Sequence, residues 1–326
     1  MRRTLLFAWM SLSLSCGCAK SAEIPQPPSP DTRLALNLGT ANLDRPERNI
    51  LMANLAADTG VRWVYAPVFW PWSEPFEGDY RWQGLDATID VLMQRGITVV
   101  IQIRGMPAWA SGAPCDVIAG TPRECAQVKT QSKLRSAYGR FAGKLAERYP
   151  YIKYWAVGNE PNLAEYGPPT PCDYMSLLML PAATAIREVI PDAEVFGPEL
   201  YTNGGDWLSW ARFFLSGWPG YFPRFTVHHY APDQYGPRHA VALLWDLMVE
   251  IGEPRPLWLT EFNFDQRDER AIADRICLMT KHQAWGRSFL FQLSGGPNAL
   301  ADETGIPRAF LYPAFRAIAA GAYGCR

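Results

Sequence analysis

Histidine is scarce in this chain, with four in 326 residues, and no cysteine–histidine spacing matches a zinc site. A metal-dependent mechanism is therefore not expected. Neither sign of charge dominates: 31 Lys and Arg face 32 Asp and Glu, for a formal net charge of −1. That balance offers nothing to nucleic acid or to an anionic membrane surface. A glycine-rich phosphate turn is also missing. After the first candidate strand, Leu38-Gly39-Thr40-Ala41-Asn42 offers one glycine, which argues against a dinucleotide-binding open sheet. No cofactor is implied. No internal repeat, long low-complexity tract or interior linker divides the chain, so one domain with a substantial core is expected.

The one strongly apolar run near the start, Leu5 to Leu14, is too short to span a bilayer. With Arg2 and Arg3 before it, it has the form of a signal segment, assigned to residues 1–22. Cys16 and Cys18 each follow a small residue, and the region resembles a bacterial lipoprotein signal in which a cysteine is lipidated. The expected location is exported: a periplasmic or cell-surface lipoprotein, or a secreted protein, attached to membrane through that lipid alone. Residues 23–32, with Pro25-Gln26-Pro27-Pro28-Ser29-Pro30, read as an extended linker. Export permits disulfides, and Cys115 with Cys125 and Cys277 with Cys325 are candidate pairs, while Cys172 has no obvious partner. An anchored monomer is the simplest assembly.

From residue 33 to 326 short apolar runs alternate with longer amphipathic stretches. Eight strands are expected: Leu34–Leu38, Val61–Pro67, Ile97–Ile103, Ile152–Val157, Glu194–Gly197, Phe225–His229, Pro256–Glu261 and Ser288–Leu293. Helical stretches between and after them include Trp82–Arg95, Ser132–Tyr149, Tyr174–Ile190, His239–Ile251, Glu269–Trp285 and Tyr312–Ala320. Strand–helix alternation implies parallel strands with crossover helices. Eight repeats match an α/β fold of the single (β/α)8 TIM barrel type, which takes about 250 residues plus insertions.

Two of the strands end on a glutamate. Trp155-Ala156-Val157-Gly158-Asn159-Glu160-Pro161 places Glu160 after the fourth, and Leu257-Trp258-Leu259-Thr260-Glu261-Phe262 places Glu261 at the end of the seventh. A carboxylate in such a context is costly unless it is paired, hydrogen-bonded or functional. In a barrel both would reach the same C-terminal crater, where catalytic residues sit. Two facing carboxyls are the minimum for cleaving a glycosidic bond.

On these residues the chain resembles the clan A retaining glycoside hydrolases, nearest to family 39-like bacterial proteins. Trp72-Ser73-Glu74-Pro75 with Gly78, Tyr80 and Trp82 is similar to the loop after their second strand. Gly105-Met106-Pro107-Ala108-Trp109-Ala110-Ser111 is similar to the loop after the third, and Gly305-Ile306-Pro307-Arg308 with Ala314-Phe315-Arg316 to the last helix. The resemblance implies an exported β-glycosidase acting by double displacement on an oligo- or polysaccharide. Glu160 would be the acid/base, protonated at rest, and Glu261 the ionised nucleophile. Asn159 would bind the sugar 2-hydroxyl, Tyr230 would hydrogen-bond the nucleophile, and His228 would position the sugar. Trp109 and Phe291 are further candidates for substrate contact, and Trp70 and Trp72 are possible sugar platforms better read as packing. His229 faces the other side of its strand and is expected to be structural.

One departure stands out. Tyr65 occupies the place near the end of the second strand where the clan commonly carries an arginine that supports the nucleophile's charge. Arg62 would point to the opposite side of a regular strand, whereas Arg104, ending the third strand, could supply the charge. The departure motivates a second reading, a carbohydrate-binding protein on a catalytically degenerate barrel.

Overall fold

The computed structural model describes residues 34–39, 46–112, 117–118, 121–122, 131–231, 236–264, 285–293, 299–302, 304–309 and 311–320. The strands are β1 (Leu34–Asn37), β2 (Trp63–Phe69), β3 (Thr98–Arg104), β4 (Tyr154–Val157), β5 (Glu194–Tyr201), β6 (Phe225–Ala231), β7 (Leu257–Phe264) and β8 (Trp285–Phe291). All pair in parallel with their sequence neighbours, and β8 pairs with β1, closing an eight-stranded barrel. The single TIM barrel expected from the alternation is the fold. A two-stranded antiparallel ribbon, Val117–Ile118 with Thr121–Pro122, lies apart from it.

The longer described helices are α1 (Pro46–Asp58), α2 (Gln83–Gln94), α3 (Gln131–Arg148), α4 (Leu180–Val189), α5 (Trp207–Gly217), α6 (Gly236–Ile251) and α7 (Leu311–Ala319). Each winds where apolar residues recur at helical spacing. In α2, Leu85, Ile89 and Leu92 are buried on one face, and Gly96 just beyond the end takes a left-handed φ of 68°. In α3 the buried stripe is Leu134, Tyr138, Phe141 and Leu145. The segment expected as one helix from Tyr174 opens instead as a π-helical turn, Tyr174–Met179, before α4. None of the described helices is long and apolar enough to cross a membrane.

Strands sort their residues by parity. In β3, Val99, Ile101 and Ile103 join the large core between barrel and helices, whereas Val100 faces the barrel interior. The interior is packed by Ala35, Tyr65, Val100, Ala156, Phe196, Trp258 and Phe289. At the N-terminal ends of the strands, arginines stack on aromatic rings: Arg287 lies 3.8 Å from the Trp63 centroid and Arg224 4.5 Å from that of Trp258. This plug fills the N-terminal end of the barrel interior.

Register shifts break the alternation in β5 and β7, and another falls at the start of β8, between Trp285 and Arg287. Gly197 pairs with Phe225 but Leu200 with Val227, so β5 holds one extra residue against β6. Likewise Val227 pairs with Leu259 and His228 with Glu261, so β7 holds one extra against β6, and a matching shift appears against β8. Such bulges re-aim side chains near active sites. The structure thereby corrects the expected end of the fifth strand, which runs past Gly197 to Tyr201, and the start of the eighth, which takes in Trp285. The rest of the helix expected over Glu269–Trp285, the N-terminal segments and the candidate disulfide cysteines lie outside the described residues. Cys172 is exposed and unbonded.

Gly158, between β4 and the Asn-Glu-Pro turn, is required on two counts. Its φ is 79°, and a Cβ there would stand 3.0 Å from the Tyr174 ring. Gly158→Ala is expected to destabilise the fold by about 1–3 kcal/mol, read from denaturant unfolding; an unchanged midpoint would contradict this account of the turn.

Candidate active site

The carboxyl of Glu160 is set by a turn that follows β4. The Gly158 amide donates to Ile103 O at 2.8 Å, and the Glu160 amide to Glu199 O at 3.1 Å. Between them the backbone bends so sharply that Glu160 takes φ 41°. A left-handed glutamate costs free energy that must be offset by its surroundings. Glu261 reaches the same place from β7, where the bulge lets Thr260 and Glu261 both hydrogen-bond within the barrel mouth.

His228 of β6 stands between the two. Its Nδ1 is 2.9 Å from Glu160 Oε1 and 3.5 Å from Glu261 Oε2. Tyr230, two residues on and on the same face, donates its hydroxyl to Glu261 Oε2. The other Glu261 oxygen faces Arg104 Nη1 at 3.4 Å. The guanidinium of Arg104 lies 4.8 Å over the Phe69 ring, which in turn stacks on Trp72 at 4.8 Å. All these polar groups are buried except Tyr230, which is half-buried.

These contacts answer the departure at the second strand. Tyr65 is fully buried among the interior aromatics, with its ring 5.3 Å from Phe289. Arg104 supplies the cation next to Glu261, and Arg62 is exposed. The cation beside Glu261 comes from the third strand.

The electrostatics follow from burial and neighbours. Burial tends to discharge His228, yet the negative charges of Glu261 and Glu160 and hydrogen bonds to Glu160 and Glu199 outweigh it, pushing its pKa up to about 10. Burial holds the Glu261 carboxyl above the ordinary range, while His228, Arg104 and the Tyr230 hydroxyl pull it back toward ionisation. Burial and then the Glu261 charge keep the Tyr230 hydroxyl protonated well above its usual range, so it stays a donor.

Among the described residues, Glu160, His228 and Glu261 are the group whose ligand atoms could converge on a metal ion.

The remaining expected residues are placed as follows. Asn159 is buried, with its Oδ1 3.4 Å from Gln102 Nε2. Phe291 meets the Tyr230 ring edge-on at 5.9 Å and 88°. Trp109 donates Nε1 to Glu74 O at 2.9 Å, lies edge-on to Trp70, and carries Lys133 Nζ 5.5 Å over its ring. Trp70 is fully buried and donates to Glu74 Oε2 at 2.7 Å, a packing role. His229 faces away as expected, with Nδ1 2.8 Å from Thr202 Oγ1.

The residue that sequence reasoning missed is Glu199. It sits in the β5 bulge with φ 60°, and its Oε2 lies 2.8 Å from His228 Nε2 and 2.5 Å from Thr260 Oγ1. The signal that found the other two glutamates, a carboxylate closing an apolar strand, was present in Val195-Phe196-Gly197-Pro198-Glu199.

The raised basicity of His228 has a stability consequence. A folded-state pKa of about 10 against an ordinary 6.5 means its contribution is fully present below about 6.5 and lost as pH rises through about 10. The Tm gap between the parent protein and His228→Gln should therefore narrow over that window. Melting curves across the range check this, and a constant gap would refute it.

Comparison with known proteins came to the same fold. A family model described as beta-galactosidase, of glycoside hydrolase family 42, matches residues 48–174, a span that includes Glu160 but not Glu261. No curated protein matches in sequence. Among solved structures, a family 39 enzyme from Xanthomonas axonopodis pv. citri superposes with a TM-score of 0.68 and 15% identity, covering 90% of this chain and 67% of that one. A family 39 glycoside hydrolase from Bacteroides cellulosilyticus WH2 gives 0.64 and 16%, covering 89% and 64%. The exo-beta-1,4-mannosidase Op5Man5 from Opitutaceae bacterium strain TAV5 gives 0.62 and 17%, covering 90% and 60%. The chain thus spans about two-thirds or less of the length of these proteins. At such identities the likeness is one of fold, and in fold the chain stands with the clan A glycoside hydrolases that its motifs resemble.

Proposed function

We propose that the protein is a retaining β-glycosidase, with Glu160 as acid/base and Glu261 as nucleophile. The observation that carries this reading is the spacing of the carboxyls. One oxygen of Glu160, one of Glu261 and one ring nitrogen of His228 all lie within 4.8 Å of one another. Retaining enzymes hold their carboxyls about 5–5.5 Å apart, whereas inverting ones leave roughly 6.5–9.5 Å for a water. The pair here fits the closer class.

The surroundings divide the labour. Arg104 and the Tyr230 hydroxyl both bind Glu261, favouring the ionised form that attacks the anomeric carbon. In the first displacement the glycosidic bond breaks and its electron pair stays on the leaving oxygen, which takes the proton from Glu160. In the second, water loses a proton to Glu160 and adds its oxygen to the anomeric carbon, freeing Glu261. Asn159, in the same turn as Glu160, is assigned to the sugar 2-hydroxyl. Likeness to solved enzymes that include an exo-beta-1,4-mannosidase supports a β-linked sugar substrate. The degenerate-barrel reading loses its motive, because Arg104 meets Glu261 where Tyr65 had suggested a lost cation. Export through the N-terminal segment, with lipid attachment at Cys16 or Cys18, completes the proposal.

The test begins with a panel of β-linked poly- and oligosaccharides to find the substrate. Glu160→Ala should then lose about 10²–10⁴-fold in kcat/KM on sugars with poor leaving groups, and much less on aryl glycosides whose leaving group departs unprotonated. Equal losses on both classes would remove Glu160 from the role of acid.

A further inference from the structure

Three carboxylates, not two, converge at the mouth of the barrel, and double displacement leaves the third without a task. Glu199 and His228 are both 0% exposed. Among the described residues the non-glycine positions with left-handed backbone are Glu160 and Glu199. Each such residue costs about 1–3 kcal/mol and persists where the surroundings over-determine it, most often at functional sites. In β5, Phe196 faces the barrel interior, so regular alternation would turn Glu199 outward. The bulge reverses that parity, and the Glu199 amide is anchored on Thr226 Oγ1 at 3.0 Å.

His228 joins this carboxylate to the catalytic pair. Nε2 lies 2.8 Å from Glu199 Oε2 and Nδ1 2.9 Å from Glu160 Oε1, so each ring nitrogen has a carboxylate oxygen to donate to. The groups that face the site from the neighbouring strands are Tyr65 of β2, Arg104 of β3, Glu160 after β4, Glu199 of β5, Tyr230 of β6 and Glu261 of β7. Thr260 donates to the same Glu199 oxygen that His228 Nε2 meets, which holds the carboxylate in place.

Resting on the glycosidase reading above, we infer that Glu199 is a positioning residue that acts through His228 on Glu160 and sets the alkaline limit of activity. Its negative charge favours a proton in the Glu160–His228 pair. When Glu160 gives its proton to the leaving oxygen, the new carboxylate accepts the Nδ1–H of His228. Glu199 balances the ring's charge at Nε2 throughout. No net proton enters or leaves through Glu199. The high basicity of His228 agrees with this arrangement.

The isosteric change Glu199→Gln removes the charge and keeps the shape. Two readouts decide the matter. In ¹⁵N-histidine NMR without substrate, the parent His228 should stay doubly protonated until pH approaches about 10. In Glu199→Gln it should lose a proton about one pH unit lower or more. In kinetics, the alkaline limb of kcat/KM should move down by a similar amount. A merely structural role would lower kcat at every pH and leave both the limb and the titration in place, which would overturn the inference. Should Glu199→Gln fail to fold, the parent titration decides alone: a His228 that titrates near 6.5 refutes the relay. The NMR arm needs no turnover, so it stands or falls independently of whether any glycoside is cleaved.

Discussion

The charge balance in the barrel mouth governs everything else about this site. Glu160, Glu199 and Glu261 are buried beside two cations, the His228 imidazolium and the Arg104 guanidinium. With every group ionised the cluster carries one surplus negative charge, and an unpaired buried charge is strongly unfavourable. One proton on one carboxyl makes it neutral. That single shared proton is also what a double-displacement hydrolase needs at rest: one carboxyl to give it and one ionised to attack. Burial of the cluster and the proposed chemistry thus both call for a single proton among the carboxyls.

Satisfying this balance shapes the backbone. A regular barrel strand offers an inward position at every second residue, too few to bring Thr260 and Glu261 both into the mouth from β7, or Glu199 from β5. Bulges in those two strands supply the extra inward positions. At β4 the same end is reached by a turn, where Gly158 takes one left-handed position and Glu160 the next but one. The strained residues are held by what they contact: Glu160 by His228, Glu199 by His228, Thr260 and Thr226. Below them the interior aromatic layer and the stacked arginines form a packed base. Beside them Trp72, Phe69 and Arg104 stack in series toward Glu261.

Sequence alone made the barrel legible because eight apolar runs bury both faces and therefore stand out from the amphipathic helices between them. Glu160 and Glu261 were legible because each ends such a run. Glu199 was hidden by Gly197 and Pro198, which read as the end of the strand, and by a bulge that no period-2 pattern reveals. The change at Tyr65 was visible and Arg104 could be named as a supplier of the charge, but only strand register shows that Arg104 lies opposite Phe69 at the rim and turns inward to Glu261. Trp109, expected as a sugar contact, also donates to Glu74 O and carries Lys133 over its ring, contacts between distant segments that leave no trace in spacing.

The central claim is that Glu261 forms a covalent bond to the sugar while Glu160 handles the proton. Trapping with a 2-fluoro glycoside carrying an activated leaving group, followed by peptide mass mapping, tests it most directly. The account predicts one equivalent of fluoro-sugar attached to the peptide containing Glu261. Attachment at Glu160 or Glu199, or tight sugar binding with no covalent adduct, would contradict it.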